Sequence, residues 1–293
     1  MSTVYKLRNR LKQTKYKDEI RNLYMVYRKS LFNQLVTKIQ KYCIIYRDKS
    51  LLQNEVDLLR KVNSHIYYKD EMYEFSGKHY FMVGLSAINC IDSVLSQVTS
   101  YKIKNILDMP SGCGRVLRFL IHRFPNATIS SCDIDKDMVD YCITTFKVNG
   151  YYSRPDINNL SLNAKFSLIW CGSLVTHLDN EGIKALLDFF YRHMEPGGVL
   201  IFSTLGHYGL DRIKNCYEIY KLSKEGSHFM VQSYEKYGYA YLDYPGMKGY
   251  GATITSYSWV SEKIREVKGW QLIYFKERNW DNNQDIYGLI KQK

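Results

Sequence analysis

The chain runs to 293 residues, of which 45% are hydrophobic and 15% aromatic, enough for a globular core and against wholesale disorder. Its seven cysteines are scattered and form no CxxC pair, which argues against a zinc ribbon and a disulfide framework and fits a reduced cytosol; no metal site is expected. The net charge of +12 is uneven: residues 1–50 hold 13 Lys and Arg against three Asp and Glu, leaving +2 for the rest, too little for a basic stripe around a nucleic-acid site.

Met1–Arg10 is charged and has no apolar h-region, so no secretory signal is expected there. The longest uncharged run, Pro196–Leu210, has 15 residues and is broken by glycines, too short to span a bilayer. A cytoplasmic protein, in solution or peripheral to the inner face of the membrane, is expected. The 27 tyrosines, with many Lys, Asn and Ile, are read as coding-composition bias.

From Val4 to Tyr46 apolar residues recur mostly three or four apart with Lys and Arg between them, which predicts helix. Two readings stand. This segment packs on the main domain or on a second copy, or its basic amphipathic face rests on an anionic membrane or an acidic partner. Leu51–His65 and Leu85–Gln97 read as further helices, and Tyr68–Gly84 is acidic and aromatic. No Pro/Gly/Ser linker follows, so residues 1–100 are expected as a helical extension docked on a core of residues 101–293.

From residue 103 strands alternate with helices. Strands are expected near 104–108, 128–133, 151–154, 166–171 and 197–203, and helices at 112–123, 136–148 and 180–194. This pattern predicts an α/β fold with a mostly parallel sheet, helices on both faces and right-handed crossovers. His207–Ser256 loses the regularity and is rich in Tyr and Gly. Its alternating Tyr239–Tyr244 and Ala252–Tyr257 suggest a hairpin or lid inserted at about 206–256. A helix, Ser258–Val267, and two strands, Trp270–Phe275 and Asp285–Ile290, complete the chain.

The chemistry concentrates in Lys104–Leu120, KNILDMPSGCGRVLRFL, read with Ser130–Asp135, SSCDID. A strand that enters a glycine turn and leaves as a helix aims backbone N–H groups at a ligand. Nineteen positions after Gly114, Asp133 stands where a nucleotide-binding unit puts the carboxylate that holds a ribose. A dinucleotide fingerprint would need glycine where Leu117 stands, and a phosphate loop would need Lys-Ser/Thr where Arg115-Val116 stand.

ILDMPSGCGRVLRFL, CDID, FSLIWCGSLVTHLD and MEPGGVLIFST, in that order, resemble the motifs of class I S-adenosylmethionine-dependent methyltransferases. Residues from about 68 to the end resemble a bacterial group of these enzymes associated with glycosyltransferases and surface-polysaccharide synthesis. The resemblance implies a Rossmann-like, seven-stranded sheet and an S-adenosylmethionine site. In it Asp108 helps hold the methionine amino group, while Pro110, Ser111, Gly112, Gly114 and Arg115 form the turn. Asp133 accepts from the ribose hydroxyls beside Ile134, Asp156 sits near the adenine, and Cys171, Gly172 and Ser173 close the fourth strand. Pro110-Ser111 departs from the commonest form, which has a glycine there.

On the acceptor side the carboxyl ends of the strands select three loops. His177, His207 and Asp281 are the catalytic candidates, each with a structural alternative: a loop hydrogen bond for the two histidines, a solvated turn for Asp281. Tyr73, Tyr244, Trp280, Gln284 and Asp285 are candidates for substrate contact, Trp280 as a sugar platform. The expected reaction is O-methylation of a saccharide or related small metabolite. The alternative is an RNA or protein methyltransferase with residues 1–50 as a binding arm, although no Asn-Pro-Pro-Tyr stretch or Pro-Cys nucleophile is present.

Overall fold

The computed structural model describes residues 34–73, 77–99, 102–215, 220 and 222–292. The part of the expected N-terminal helix before residue 34 lies outside them. The chain divides into two units, Met1–Tyr80 and Phe81–Lys293.

In the first unit, helix α1 spans residues 34–47 and α2 spans Gln53–Lys61. The start of α2 is held by Glu55, whose carboxylate accepts from Leu52 N at 2.8 Å. Thr37, Lys41 and Ile44 of α1 are buried, and Lys41 Nζ donates to Val62 O at 2.7 Å. Tyr73 is buried in this unit's own packing. Its hydroxyl accepts from Thr37 Oγ1 at 2.8 Å and donates to Gln40 Oε1 at 3.0 Å. Tyr73, expected to contact substrate, is thus buried and hydrogen-bonded within this unit.

Helix α3 spans Gly77–Leu95. The second unit continues with β1 (Asn105–Asp108), α4 (Leu117–Arg123), β2 (Thr128–Asp133), α5 (Lys136–Phe146), β3 (Asn149–Tyr152) and β4 (Phe166–Cys171). Then come α6 (Asn180–His193), β5 (Met194–Thr204), α7 (His207–Asn215), α8 (Lys224–Tyr237), β6 (Tyr239–Tyr244), β7 (Met247–Thr255), α9 (Tyr257–Glu266), β8 (Trp270–Trp280) and β9 (Gln284–Lys291).

Seven strands form one sheet in the order β3-β2-β1-β4-β5-β9-β8. The first five are parallel, and β9 runs antiparallel between β5 and β8. The central strands β1 and β4 read as near-continuous apolar runs because both faces are covered. Leu107, Ile169, Leu200 and Leu289 join Phe189 and Phe190 of α6 in one core on one side of the sheet. The strand order reverses at β1, so the crevice outside the carboxyl ends of β1 and β4 is where such a sheet takes a ligand.

Two expected elements move for identifiable reasons. The helix expected from residue 112 begins at Leu117, because Gly112 and Gly114 adopt φ of 50° and 74°, outside helical space. The third strand sits two residues early, at Asn149, right after the left-handed Lys147 that ends α5.

The inserted segment holds the expected hairpin, β6–β7, and also two helices that its aromatic composition hides. The cap signals of α8 are nonetheless written in the sequence. Ser223 Oγ accepts from Gly226 N at 3.1 Å, and Gly238 ends the helix at φ 67°. Leu205, Leu210, Ile213, Met230 and Ile254 form a separate apolar core beneath it. The insertion is a small packed layer, not a bare loop.

Candidate functional site

At the end of β1 the turn Pro110–Val116 is tied to β2 on both sides. Ser111 N donates to Cys132 O at 3.0 Å, and the hydroxyls of Ser111 and Ser131 lie 2.7 Å apart. Gly112 N donates to Asp133 Oδ2 at 2.8 Å, and Asp135 N donates to Asp133 Oδ1 at 3.1 Å. Asp133 and the glycine turn, twenty residues apart in sequence, thus form one rim. Burial raises the Asp133 carboxyl, while the N–H groups of Asp135, Gly112 and Ile134 pull it back down.

The two glycines serve different ends. A Cβ at Gly112 would meet nothing within 4 Å, so open space lies in front of it. A Cβ at Gly114 would come 2.6 Å from the Phe146 ring, so there the requirement is packing as well as φ.

Behind the turn lies a residue that motif reading missed. Arg118 is 0% exposed. Its Nε donates to Gly114 O at 2.9 Å, its Nη2 to Cys113 O at 3.2 Å, and its guanidinium stands 5.2 Å from the Phe146 ring. A buried charge survives only when it is hydrogen-bonded, and these carbonyls supply the bonds. Its signal in the sequence is a cation on the apolar face of a helix, four residues after a glycine.

Asp108, at the end of β1, is 1% exposed. Burial, and then the Asp133 charge nearby, push its carboxyl well above the ordinary carboxylate range, against a bond from Leu117 N–H. Among the described residues its Oδ2 has no hydrogen-bond partner. A buried acceptor left in that state costs about 1–3 kcal/mol. It is an acceptor waiting for a donor.

The other cofactor candidates fall around this rim or beyond it. Ile134 is exposed just past Asp133. Asp156 is exposed after β3, with Asn159 Nδ2 donating to its Oδ2 at 2.6 Å. Cys171 is wholly buried, and burial together with the Asp108 charge pushes its thiol up. Arg115 stands 6.0 Å from the Trp280 ring.

The end of β4 is held by residues far apart in sequence. Ser173 takes φ 63°, unusual for a non-glycine residue, and three bonds hold it there. Ser173 N donates to Ser203 Oγ at 2.8 Å, Ser203 Oγ to Gln284 Oε1 at 2.7 Å, and Gln284 Nε2 to Ser173 Oγ at 2.7 Å. This closed ring joins the carboxyl ends of β4 and β5 to the start of β9. Gln284 braces the crevice wall.

Trp280 is 3% exposed. Its Nε1 donates to Val83 O at 3.0 Å, its ring meets Trp170 edge-on at 5.2 Å, and a Cβ on Gly172 would come 2.7 Å from it. Trp280, expected as a sugar platform, is thus a buried ring packed against Trp170, Gly172 and α3 among the described residues. Asp285 is 4% exposed, and its Oδ1 accepts from Arg278 N at 2.8 Å. Burial pushes its carboxyl up to about 6, and a Cβ at Gly206 would collide with it. Asp281 occupies the β8–β9 turn at φ 53° and donates its N–H to Ser86 Oγ at 2.9 Å.

His177 ends a short 3-10 turn after β4 and meets the inserted hairpin. Its Nδ1 lies 3.0 Å from Gly251 O and 3.1 Å from the Tyr244 hydroxyl, and its ring stacks on Tyr250 at 4.9 Å. A carbonyl oxygen only accepts, so Nδ1 carries the proton and Nε2 is the basic nitrogen. Burial raises the Tyr250 phenol, and the Asp133 charge raises it further, which brings the hairpin tip into the electrostatic reach of the glycine rim. His207, on the first turn of α7, is exposed and lies 3.6 Å from Asp211. Among the described residues no cluster of His, Cys, Asp and Glu is arranged to hold a metal ion, and no helix is long and apolar enough to cross a membrane.

Residues 106–198 match a family model described as a methyltransferase domain. A 115-residue stretch is 29% identical to the malonyl-[acyl-carrier protein] O-methyltransferase of Acetivibrio thermocellus, covering 39% of this chain and 40% of that protein. Another, of 122 residues, is 30% identical to the same-named protein of Priestia megaterium, covering 38% and 40%. The chain thus spans about two-fifths of the length of these curated relatives. Among solved structures, DesVI of Streptomyces venezuelae superposes with a TM-score of 0.53 at 14% identity, over 77% of this chain and 99% of that one. CalS10 of Micromonospora echinaspora, an amino pentose methyltransferase with S-adenosylmethionine bound, gives 0.52 at 14% identity over 78% and 98%. At such identities the likeness is one of fold: the seven-stranded Rossmann-like methyltransferase sheet.

Proposed function

We propose that this chain is an S-adenosylmethionine-dependent methyltransferase whose acceptor is a hydroxyl of a saccharide or related small metabolite. The observation that carries the first half is the buried, unpartnered Oδ2 of Asp108 behind a glycine turn with open space before it. The methionine ammonium is a donor of the right charge for that oxygen, and its arrival would favour the ionised carboxyl that burial opposes. Asp133 retains lone pairs for the ribose hydroxyls, and Ile134 offers apolar surface beside it. The matched methyltransferase-domain model over residues 106–198 supports the same reading.

Once bound, this cofactor supplies an electrophilic methyl group on a sulfonium. What the chain contributes is placement and exclusion of water. Ser173, held by Ser203 and Gln284, shapes the wall at the end of β4. The hairpin carrying Tyr244 and Tyr250 covers His177. A sugar hydroxyl must lose a proton as it is methylated, and His177 Nε2 is the group assigned to take it.

A second reading is favoured by the names of the curated relatives: a carboxylate acceptor, as in malonyl carrier protein. A carboxylate is already ionised and needs no base, which separates the two. Calorimetry with S-adenosylhomocysteine should show binding by the wild type and at least about 100-fold weaker binding by Asp133→Ala; no wild-type binding sinks the methyltransferase reading. Transfer of radiolabelled methyl to a panel of nucleotide sugars, against malonyl carrier protein, then assigns the acceptor. His177→Asn should abolish the first transfer and spare the second.

A further inference from the structure

The first unit carries an apolar surface that the proposed reaction does not use. Helix α1 buries Thr37, Lys41 and Ile44 on one face. On the opposite side Leu35, Ile39, Tyr42 and Tyr46 are 59%, 54%, 46% and 73% exposed. At about 100° per residue these four fall within roughly 60° of arc, a single stripe along the helix. Tyr42 and Tyr46 stack at 6.3 Å and continue it. A helix that buries one face and leaves an apolar stripe exposed on the other calls for a partner on that stripe.

The surroundings of the stripe are cationic. Residues 34–47 contain no acid, and Lys38 and Arg47 are exposed on its flanks, with Lys49 following. Beside it is a hollow of about 550 Å³ lined by Gln40, Cys43, Ile44, Arg47, Gly77 and Lys78, together with Asp48, whose carboxylate lies 3.7 Å from Lys78 Nζ. Arg47 and Lys78 bring two positive charges against one negative charge into a notch next to apolar surface. Ten of the chain's twelve net positive charges lie within residues 1–50.

We propose that this face of α1 docks on an anionic phospholipid surface. The stripe enters the headgroup–acyl boundary, tyrosines at interfacial depth, and Arg47 and Lys78 receive a headgroup phosphate. Apolar area plus attraction to anionic lipid is what sets the strength of such interfacial helices, each nearby cation adding to it. Charge decides against a second copy as the occupant, since pairing two such faces would bring two strongly cationic segments together. The proposal rests on nothing in the sheet domain and stands whether or not the methyl acceptor is identified.

The test is co-sedimentation of the full chain with vesicles of phosphatidylcholine alone and with about 30 mol% phosphatidylglycerol. At least tenfold stronger partition to the anionic vesicles is expected, falling several-fold in about 0.5 M salt as screening grows. Ile39→Asp with Tyr46→Asp should lose at least tenfold in partition with an unchanged thermal midpoint, since both side chains are exposed. Arg47→Glu with Lys78→Glu, which leaves the stripe intact, should lose the preference for anionic over neutral lipid. Equal partition of wild type and both variants overturns the proposal. So does a light-scattering dimer split by the aspartate variant in a protein that does not bind vesicles.

Discussion

The two halves of the crevice are built on different principles. The half at β1–β2 is made by a contiguous stretch: Asp108, the glycine turn, Arg118 and Asp133 lie within 26 residues, and nearly every bond that holds it has a backbone N–H or C=O as one partner. The half at β4, β5 and β9 is made by residues 30 to 111 positions apart, Ser173, Ser203 and Gln284, joined side chain to side chain and side chain to backbone. Backbone geometry tolerates few residue types, whereas a side-chain ring can be built from many. The first half is suited to a constant ligand and the second to a changing one.

The sharpest way to break this contrast is at Arg118. Arg118→Met should cost about 2 kcal/mol in urea unfolding, because Cys113 O loses the guanidinium donor and Gly114 O keeps only the backbone N–H of residue 118. A cost below about 1 kcal/mol would show that the glycine turn stands without its brace. Asp285→Asn probes the other half through pH. The folded carboxyl titrates near 6 against an ordinary 3.8, so the fold favours its protonated form. That contribution is fully present below about pH 4 and is lost as pH rises through about 6. The variant should be about 2 kcal/mol more stable than wild type at pH 7.5 and lose that advantage near pH 4, read from urea midpoints. An advantage that does not change with pH would mean the carboxyl is not held in a burial-raised state.

Smaller effects separate folding from binding. Gly112→Ala should weaken S-adenosylhomocysteine binding by about tenfold in calorimetry with about 1 kcal/mol of stability lost, since its φ of 50° is strained for alanine while its Cβ would occupy the open space. Gln284→Ala should do the reverse. Opening the ring around Ser173 costs about 1 kcal/mol in thermal or urea unfolding and leaves ligand affinity within about threefold. If Gln284→Ala weakens binding as much as Gly112→Ala does, the two halves act as one.

What was legible in the sequence follows the same division. Five strands and their helices could be placed from apolar runs and periodicity, because each element is specified within about ten residues. The glycine turn and its two carboxylates could be found because positive φ and buried charge restrict the residues locally. The helices of the insertion could not, since His207–Tyr237 shows tyrosines and glycines where apolar periodicity should be, and its core is completed by Ile254 of β7 and by Leu205, just past β5. Trp280, beside carboxylates and amides in KERNWDNNQ, reads as an open platform in sequence and is a buried wedge against Trp170 in space.

The sequence alone determined the parallel α/β sheet, its crevice and the residues of the glycine rim, for these depend on local backbone rules. Only the tertiary structure decided that Trp280 and Tyr73 are buried, that Arg118 braces the turn, and that Gln284 locks Ser173. It also decided that the hairpin reaches His177. Each of these depends on which distant segment lies alongside, and that is settled by packing, where many sequences satisfy the same contact.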